Sequence, residues 1–171
     1  MKPEKVKEFL AWSIPCLTSN EVYSEEKQDY INKIWPLIGN DALKGLRTGV
    51  VREEVLKAWY KAYPYVKELD RKGFEHPMKE YMFNKHNFLV MNIYKIDKKI
   101  LPCLALVGKV IKKKDNKILV DVLGKKKELV NRCNASIDDY VGVHIGNAVE
   151  IISMEEFKKY NELIRKYNEF I

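Results

Sequence analysis

The sequence has few cysteines and lacks any long apolar run. Its 171 residues include only three cysteines, Cys16, Cys103 and Cys133, which are widely spaced and form no C-x-x-C pair. This spacing argues against a disulfide framework and against an ordinary structural zinc site. No apolar run approaches the roughly 18 residues that span a bilayer, and the charged N-terminus lacks the apolar core of a secretory signal. We therefore expect a cytoplasmic protein.

The common signatures of nucleotide-binding and hydrolytic enzymes are also missing. The sequence contains no G-x-x-x-x-G-K-[ST], G-x-G-x-x-G, H-E-x-x-H or G-x-S-x-G motif. Cys103 and His144 are conceivable as a nucleophile and its base, but nothing near them in the sequence indicates a substrate pocket or an oxyanion hole. We predict that the protein is not an enzyme and that it holds no permanently bound cofactor.

The composition is that of a globular protein, with 46% hydrophobic and 32% charged residues. The net charge is +7, and much of the excess lies in lysine-rich stretches at Lys112–Lys114, Lys117 and Lys125–Lys127. These lysines are candidates for contact with phosphates or with an acidic protein surface. The alternative interpretation is that they keep exposed strand edges and hairpin tips from pairing with other chains.

Residues 1–97 are predicted to form an all-α domain. Apolar residues recur there at helical spacing. The stripes lie at residues 30–38 and 55–63, and further helices are predicted at 3–13, ending near Pro15, and from Pro77 to Phe83.

Residues 98–171 are predicted to form a small OB-like β-barrel with a C-terminal helix, which makes the whole chain an α+β protein. The apolar period changes to two after residue 103, with Asp115-Asn116 and Gly124 supplying turn residues. Short, closely spaced strands favour a small barrel over a layered sheet; they are expected at 104–111, 118–123, 129–130, 140–144 and 148–152. Ser153 and Glu156 then fit a capping box that starts the final helix.

Two stretches carry the most specific pattern in the sequence. Cys103–Val110 reads CLALVGKV, and Asp139–Val149 reads DYVGVHIGNAV. In order and content they resemble the HypC/HupF hydrogenase-maturation chaperones, which open with a cysteine and a short apolar stretch before the first strand. The later signature of that family reads like GDYVxVHxGxA and precedes a Glu-rich helix. The resemblance covers roughly residues 103–165.

The resemblance implies an OB-like barrel and a role in assembling nickel–iron hydrogenases, in partnership with HypD and the hydrogenase large-subunit precursor. In the family the opening cysteine engages these partners, or iron that carries cyanide and carbon monoxide; by position this residue is Cys103. The histidine of the Val-His-x-Gly stretch is implicated in the same site and corresponds to His144. The resemblance thus predicts Cys103 and His144 as the partner-binding residues and as ligands of transient iron. A thiolate is a soft donor suited to low-valent iron, and imidazole is a compatible second donor.

This chain departs from the family pattern in three ways. Cys103 follows Pro102 inside a continuous chain, whereas the family cysteine follows the initiator methionine. Val107 stands where the family has proline, and the helical region before the barrel is foreign to the small chaperones. The resemblance therefore applies to the barrel and its final helix.

A nucleic-acid-binding barrel is the rival prediction. OB and related barrels often bind RNA, and this one carries a lysine-rich edge formed by Lys112, Lys113 and Lys114. Against this prediction, Tyr140 is the only aromatic residue of the barrel half before the final helix, so the sequence shows no platform for base stacking.

Overall fold

The structure is a computed structural model that describes residues 3–17, 62, 64–96 and 98–171. The predicted stripe at 30–38 and nearly all of the one at 55–63 lie outside the described residues. The chain divides into two compact units, Met1–Met82 and Phe83–Ile171. Among the described residues, no helix is long and apolar enough to cross a membrane.

The described part of the first unit consists of helices and short turns. Helix α1 (Pro3–Leu17) packs against the short helix α2 (Pro77–Glu80), and a further helical stretch covers residues 64–71. Helix α1 ends at Leu17, two residues after Pro15, near which the sequence predicts its end. Pro15 lies in the last turn, where the loss of its amide donor leaves the earlier helix hydrogen bonds intact.

The helical region that begins at Pro77 is longer than predicted. Proline suits the first turn of a helix, and α2 is followed directly by a π-helical turn (Tyr81–His86) and by helix α3 (Asn87–Tyr94). The division between the two units falls after Met82, so α3 lies with the barrel unit, whereas the sequence placed the domain boundary after residue 97.

The second unit contains the predicted barrel. The strands predicted from apolar alternation and turn residues are confirmed. Five strands close in the order β1-β2-β3-β5-β4, with β3 and β5 parallel and every other neighbouring pair antiparallel. This arrangement is consistent with an OB-like barrel. The strands are β1 (Leu106–Lys114), β2 (Lys117–Val122), β3 (Lys125–Asn131), β4 (Tyr140–His144) and β5 (Asn147–Ile152).

Two-residue turns join three of the antiparallel pairs. Leu123 and Gly124 have φ values of +52° and +83°, and Ile145 and Gly146 have +46° and +70°. Two consecutive positive φ values define a type I′ turn, whose twist matches that of the flanking strands. Asp115, at +52°, occupies the first turn position between β1 and β2. The turn residues that marked strand ends in the sequence therefore set the hairpins of the barrel.

Helix α4 (Met154–Ile164) begins with the predicted capping box. The Glu156 amide donates to Ser153 Oγ at 3.1 Å, and the Ser153 amide donates to Glu156 Oε2 at 2.9 Å. One face of α4 is buried through Tyr160 and Ile164. The helix packs against β1 and β4, which places it beside the strands that lead to the two predicted site residues.

Candidate functional site

Cys103 is the last residue of a 3₁₀ helix (Lys98–Cys103) that leads into β1. The Leu104 amide donates to the Leu101 carbonyl at 3.0 Å, which ends this helix in a tight turn. Cys103 is only 3% exposed. The predicted site cysteine is therefore buried at the entrance to the barrel and is not displayed on the surface.

His144 lies next to Cys103 because of the strand register. β1 and β4 are antiparallel, with Leu106 opposite Val143, so the following residue of β4 faces the chain just before β1. His144 is fully buried, and its Nε2 lies 3.1 Å from the Cys103 carbonyl oxygen. A carbonyl oxygen only accepts hydrogen bonds, so His144 Nε2 carries a hydrogen and donates it.

Asn87 also binds this segment through its side chain. Its Nδ2 donates to the Ala105 carbonyl at 2.9 Å, and its Oδ1 accepts from the Ala105 amide at 2.8 Å. Both residues are fully buried. The side chain of Asn87 thus takes the place of a neighbouring strand for a residue that precedes β1. The Asn87 contact therefore lies two residues after Cys103, whose own carbonyl is bound by His144.

The barrel with its final helix matches a known family. Residues 103–164 match the HupF/HypC family. The match begins at Cys103 and ends at Ile164, the last residue of α4, so it covers the barrel with its final helix and stops there. No curated protein and no solved structure matches the chain significantly.

The HupF/HypC family consists of hydrogenase-maturation chaperones rather than enzymes, and the predicted resemblance is thereby confirmed for the barrel domain. Cys103 and His144 lie inside the matched segment. Asn87 and the rest of α3 lie before it, so the match says nothing about them.

His86 is a site neighbour that the sequence analysis did not identify. Its ring meets the ring of His144 edge-on, with centroids 5.3 Å apart and planes at 86°. The Nδ1 atom of His86 is buried, and burial lowers the pKa of His86 from 6.5 to about 4. His86 is therefore neutral at pH 7. The polar sequence Asn84–Asn87 before an apolar run was the available signal, but its partners are distant in sequence.

The described residues offer few ligands for a metal ion. Among them, no group of three or more His, Cys, Asp or Glu side chains is placed to hold one.

The predicted lysine-rich edge is exposed on β1. Lys112, Lys113 and Lys114 pair in register with Leu119, Ile118 and Lys117 of β2. Other lysines of the barrel have acidic neighbours, with Lys109 Nζ 2.7 Å from Asp138 and Lys117 Nζ 2.7 Å from Glu128.

The aromatic ring of the barrel strands is already covered. Tyr140 stacks on Phe157 of α4, with ring centroids 4.4 Å apart. A ring packed in this way does not present that face to a nucleotide base. The covered ring agrees with the absence of a stacking platform in the sequence.

Cys133 has a different environment from Cys103. It is half-buried after β3, and its Sγ lies 3.8 Å from Asn131 Oδ1. Burial raises the pKa of the Cys133 thiol to about 11. Cys133 therefore stays protonated at neutral pH and provides a natural control for experiments on Cys103.

Proposed function

We propose that the HupF/HypC-type domain acts as an accessory chaperone in nickel–iron hydrogenase maturation and binds a HypD-like partner or the large-subunit precursor through Cys103. The observation that carries this proposal is that the first residue of the family match is also the residue that contacts His144 in the fold. The family match begins at Cys103, and the fold brings that residue into contact with the β4 histidine of the same signature. Membership of the barrel in a chaperone family supports the general role.

The chemistry of a single thiol fits a carrier that must release its cargo. A thiolate binds a low-valent iron fragment as a soft donor, and the thiol proton is lost when the bond to iron forms. In this proposal the iron with its cyanide and carbonyl ligands is cargo. A closed cage of four protein ligands would retain it, whereas one thiolate with at most one imidazole leaves most of the coordination sphere to the partner.

His144 has a positioning role in this proposal. Its Nε2–H bond to the Cys103 carbonyl fixes the backbone of the cysteine, and its burial keeps the ring in one orientation. In this proposal Nδ1, the ring nitrogen that does not face the Cys103 carbonyl, takes up the thiol proton or binds iron. Both tasks need the neutral ring with its hydrogen on Nε2.

The test is anaerobic affinity purification of the full chain from its native host. Wild type, Cys103→Ala and the control Cys133→Ala are compared for co-purified protein, iron and RNA. We expect wild type and Cys133→Ala to recover a HypD-like protein or a hydrogenase large subunit, with Cys103→Ala losing at least nine-tenths of it.

Two outcomes would contradict the proposal. One is the recovery of neither partner by wild type, and the other is the same partner set with Cys103→Ala. Recovery of RNA that is lost at high salt, or lost when Lys112, Lys113 and Lys114 are replaced by glutamine, would instead support the nucleic-acid-binding alternative.

A further inference from the structure

The thiol that the proposed function requires is buried in the folded domain. Cys103 is 3% exposed and Leu104 beside it is equally enclosed. A partner protein cannot place a metal ion or a side chain against a sulfur atom that its surface does not reach. Use of this thiol therefore requires a local movement of whatever covers it.

Helix α3 is the element placed to cover the cysteine. It packs against the 3₁₀ helix that ends at Cys103. At its first residue, Asn87 makes both hydrogen bonds to Ala105, two residues after the cysteine. Immediately before α3, His86 lies against His144, which itself donates to the Cys103 carbonyl. Helix α3 and the residue before it therefore contact the segment around the cysteine, directly or through His144.

Little of the rest of α3 is buried, although Tyr94 at its end contacts Phe170, with ring centroids 5.3 Å apart. Asn87 and Val90 are its only fully buried residues. Three large apolar side chains of the same helix are turned to solvent, with Phe88 57%, Leu89 39% and Ile93 46% exposed. Elements with few buried contacts open at lower free energy than the core of their domain. The strands of the barrel, by contrast, form a closed hydrogen-bonded ladder.

We propose that α3 is a removable cover of Cys103 and that the Asn87–Ala105 pair sets how often the cover opens. When α3 moves away, the amide and carbonyl of Ala105 exchange the Asn87 side chain for water. No polar backbone group is then left buried without a partner, which keeps the open state accessible. The inference concerns regulation of the same thiol, and its biological meaning rests on the proposed function.

Thiol labelling measures this opening directly. In the full chain with Cys16→Ser and Cys133→Ser, Cys103 is the only thiol, and its reaction with a small disulfide reagent follows exposure. We expect labelling at least a hundredfold slower than in the unfolded chain, with a rate that depends only weakly on urea below the unfolding transition. Weak urea dependence means that little surface is exposed in the reactive state, as a local opening requires.

Variants of α3 identify the controlling contact. In the same background, Cys103 of Asn87→Ala should label at least tenfold faster. The urea midpoint should fall by less than global unfolding would need to explain that rate. Asn92→Ala is the matched control, because it removes the same side chain from an exposed position of the same helix. It should label at the wild-type rate. Val90→Ala provides a second loosened variant in case Asn87→Ala does not fold.

Hydrogen exchange on the wild-type chain needs no variant at all. The Ala105 amide should exchange together with the amides of α3 and faster than the amide of Val120 in the barrel core. The inference is overturned if Ala105 is protected as strongly as Val120, if labelling occurs only through global unfolding, or if Asn87→Ala and Asn92→Ala label alike. None of these measurements involves a partner, so their failure is distinct from failure of the proposed function.

Discussion

His86 lies edge-on against His144, with ring centroids 5.3 Å apart and ring planes at 86°. One ring belongs to the helical segment before the family match, and the other ends β4. Burial lowers the pKa of His86 to about 4, so a positive charge on this ring is costly where it meets His144. The pairing therefore links the region outside the match to the site inside it, and it makes the site sensitive to acid.

The domain should lose stability in mild acid through His86. In the unfolded chain this ring takes up a proton near pH 6.5, but in the folded chain it does so only near pH 4. Its stabilising contribution is thus complete above pH 6.5 and is lost as the pH falls from 6.5 to about 4. The full loss is about 3 kcal/mol.

Urea unfolding at several pH values measures this effect. The free energy of unfolding of wild type should fall more steeply over that interval than that of His86→Gln, which has no group to protonate there. Parallel curves for the two proteins would show that the buried ring does not set the acid response.

Two substitutions of His144 should distinguish the stability contributed by its hydrogen bond from that contributed by its packing. His144→Leu leaves the buried Cys103 carbonyl without its donor and should cost about 1–3 kcal/mol. His144→Gln keeps an N–H group at a position close to Nε2 and should cost less. Chemical denaturation of the two variants checks this order, and an equal or larger loss with glutamine would mean that the 3.1 Å contact contributes little.

Gly108 should not tolerate a methyl group. A Cβ built at this position lies 2.6 Å from the Asp121 carbonyl oxygen and also overlaps Val120 on the adjacent strand β2. Gly108→Ala should therefore lower the free energy of unfolding by about 3 kcal/mol through overpacking. Gly124→Ala is the control, because a Cβ there meets nothing within 4 Å and only the positive φ of 83° opposes it. Its cost should be about 1 kcal/mol; equal losses would contradict the packing argument.

Cys133 should titrate only in strong alkali. With Cys16→Ser and Cys103→Ser, the ultraviolet absorbance of the thiolate should rise with a midpoint near pH 11 in the folded protein and near pH 9 in urea. Because the folded pKa is the higher one, the stabilising contribution of the neutral thiol is complete below pH 9 and is lost between pH 9 and 11. A folded midpoint near 9 would show that the thiol is solvated.

The barrel could be predicted from local sequence because its signals are local. Alternating apolar residues marked the strands, and Gly124 and Asp115 marked turns that the structure places at positive φ. The Ser153–Glu156 capping box likewise needs only neighbours along the chain. Each of these features depends on residues that are a few positions apart.

The surroundings of the cysteine could not be predicted in the same way. Asn87 bonds to a backbone 18 residues away, and His144 bonds to one 41 residues away. Buried and exposed residues also do not alternate around His144. Both faces of β4 are covered, and the residues on either side of this histidine are buried too. The sequence identified Cys103 as the candidate residue through family resemblance, and it gave no sign that α3 would enclose it.

The most direct test of the account is the affinity of the purified full chain for a purified HypD-like protein under anaerobic conditions. The account predicts that Cys103→Ala weakens binding at least tenfold, which corresponds to about 1.4 kcal/mol, while Cys133→Ala binds like wild type and both variants keep the wild-type urea midpoint. Binding of Cys103→Ala that equals wild type would contradict the account, and so would the absence of binding by all three proteins.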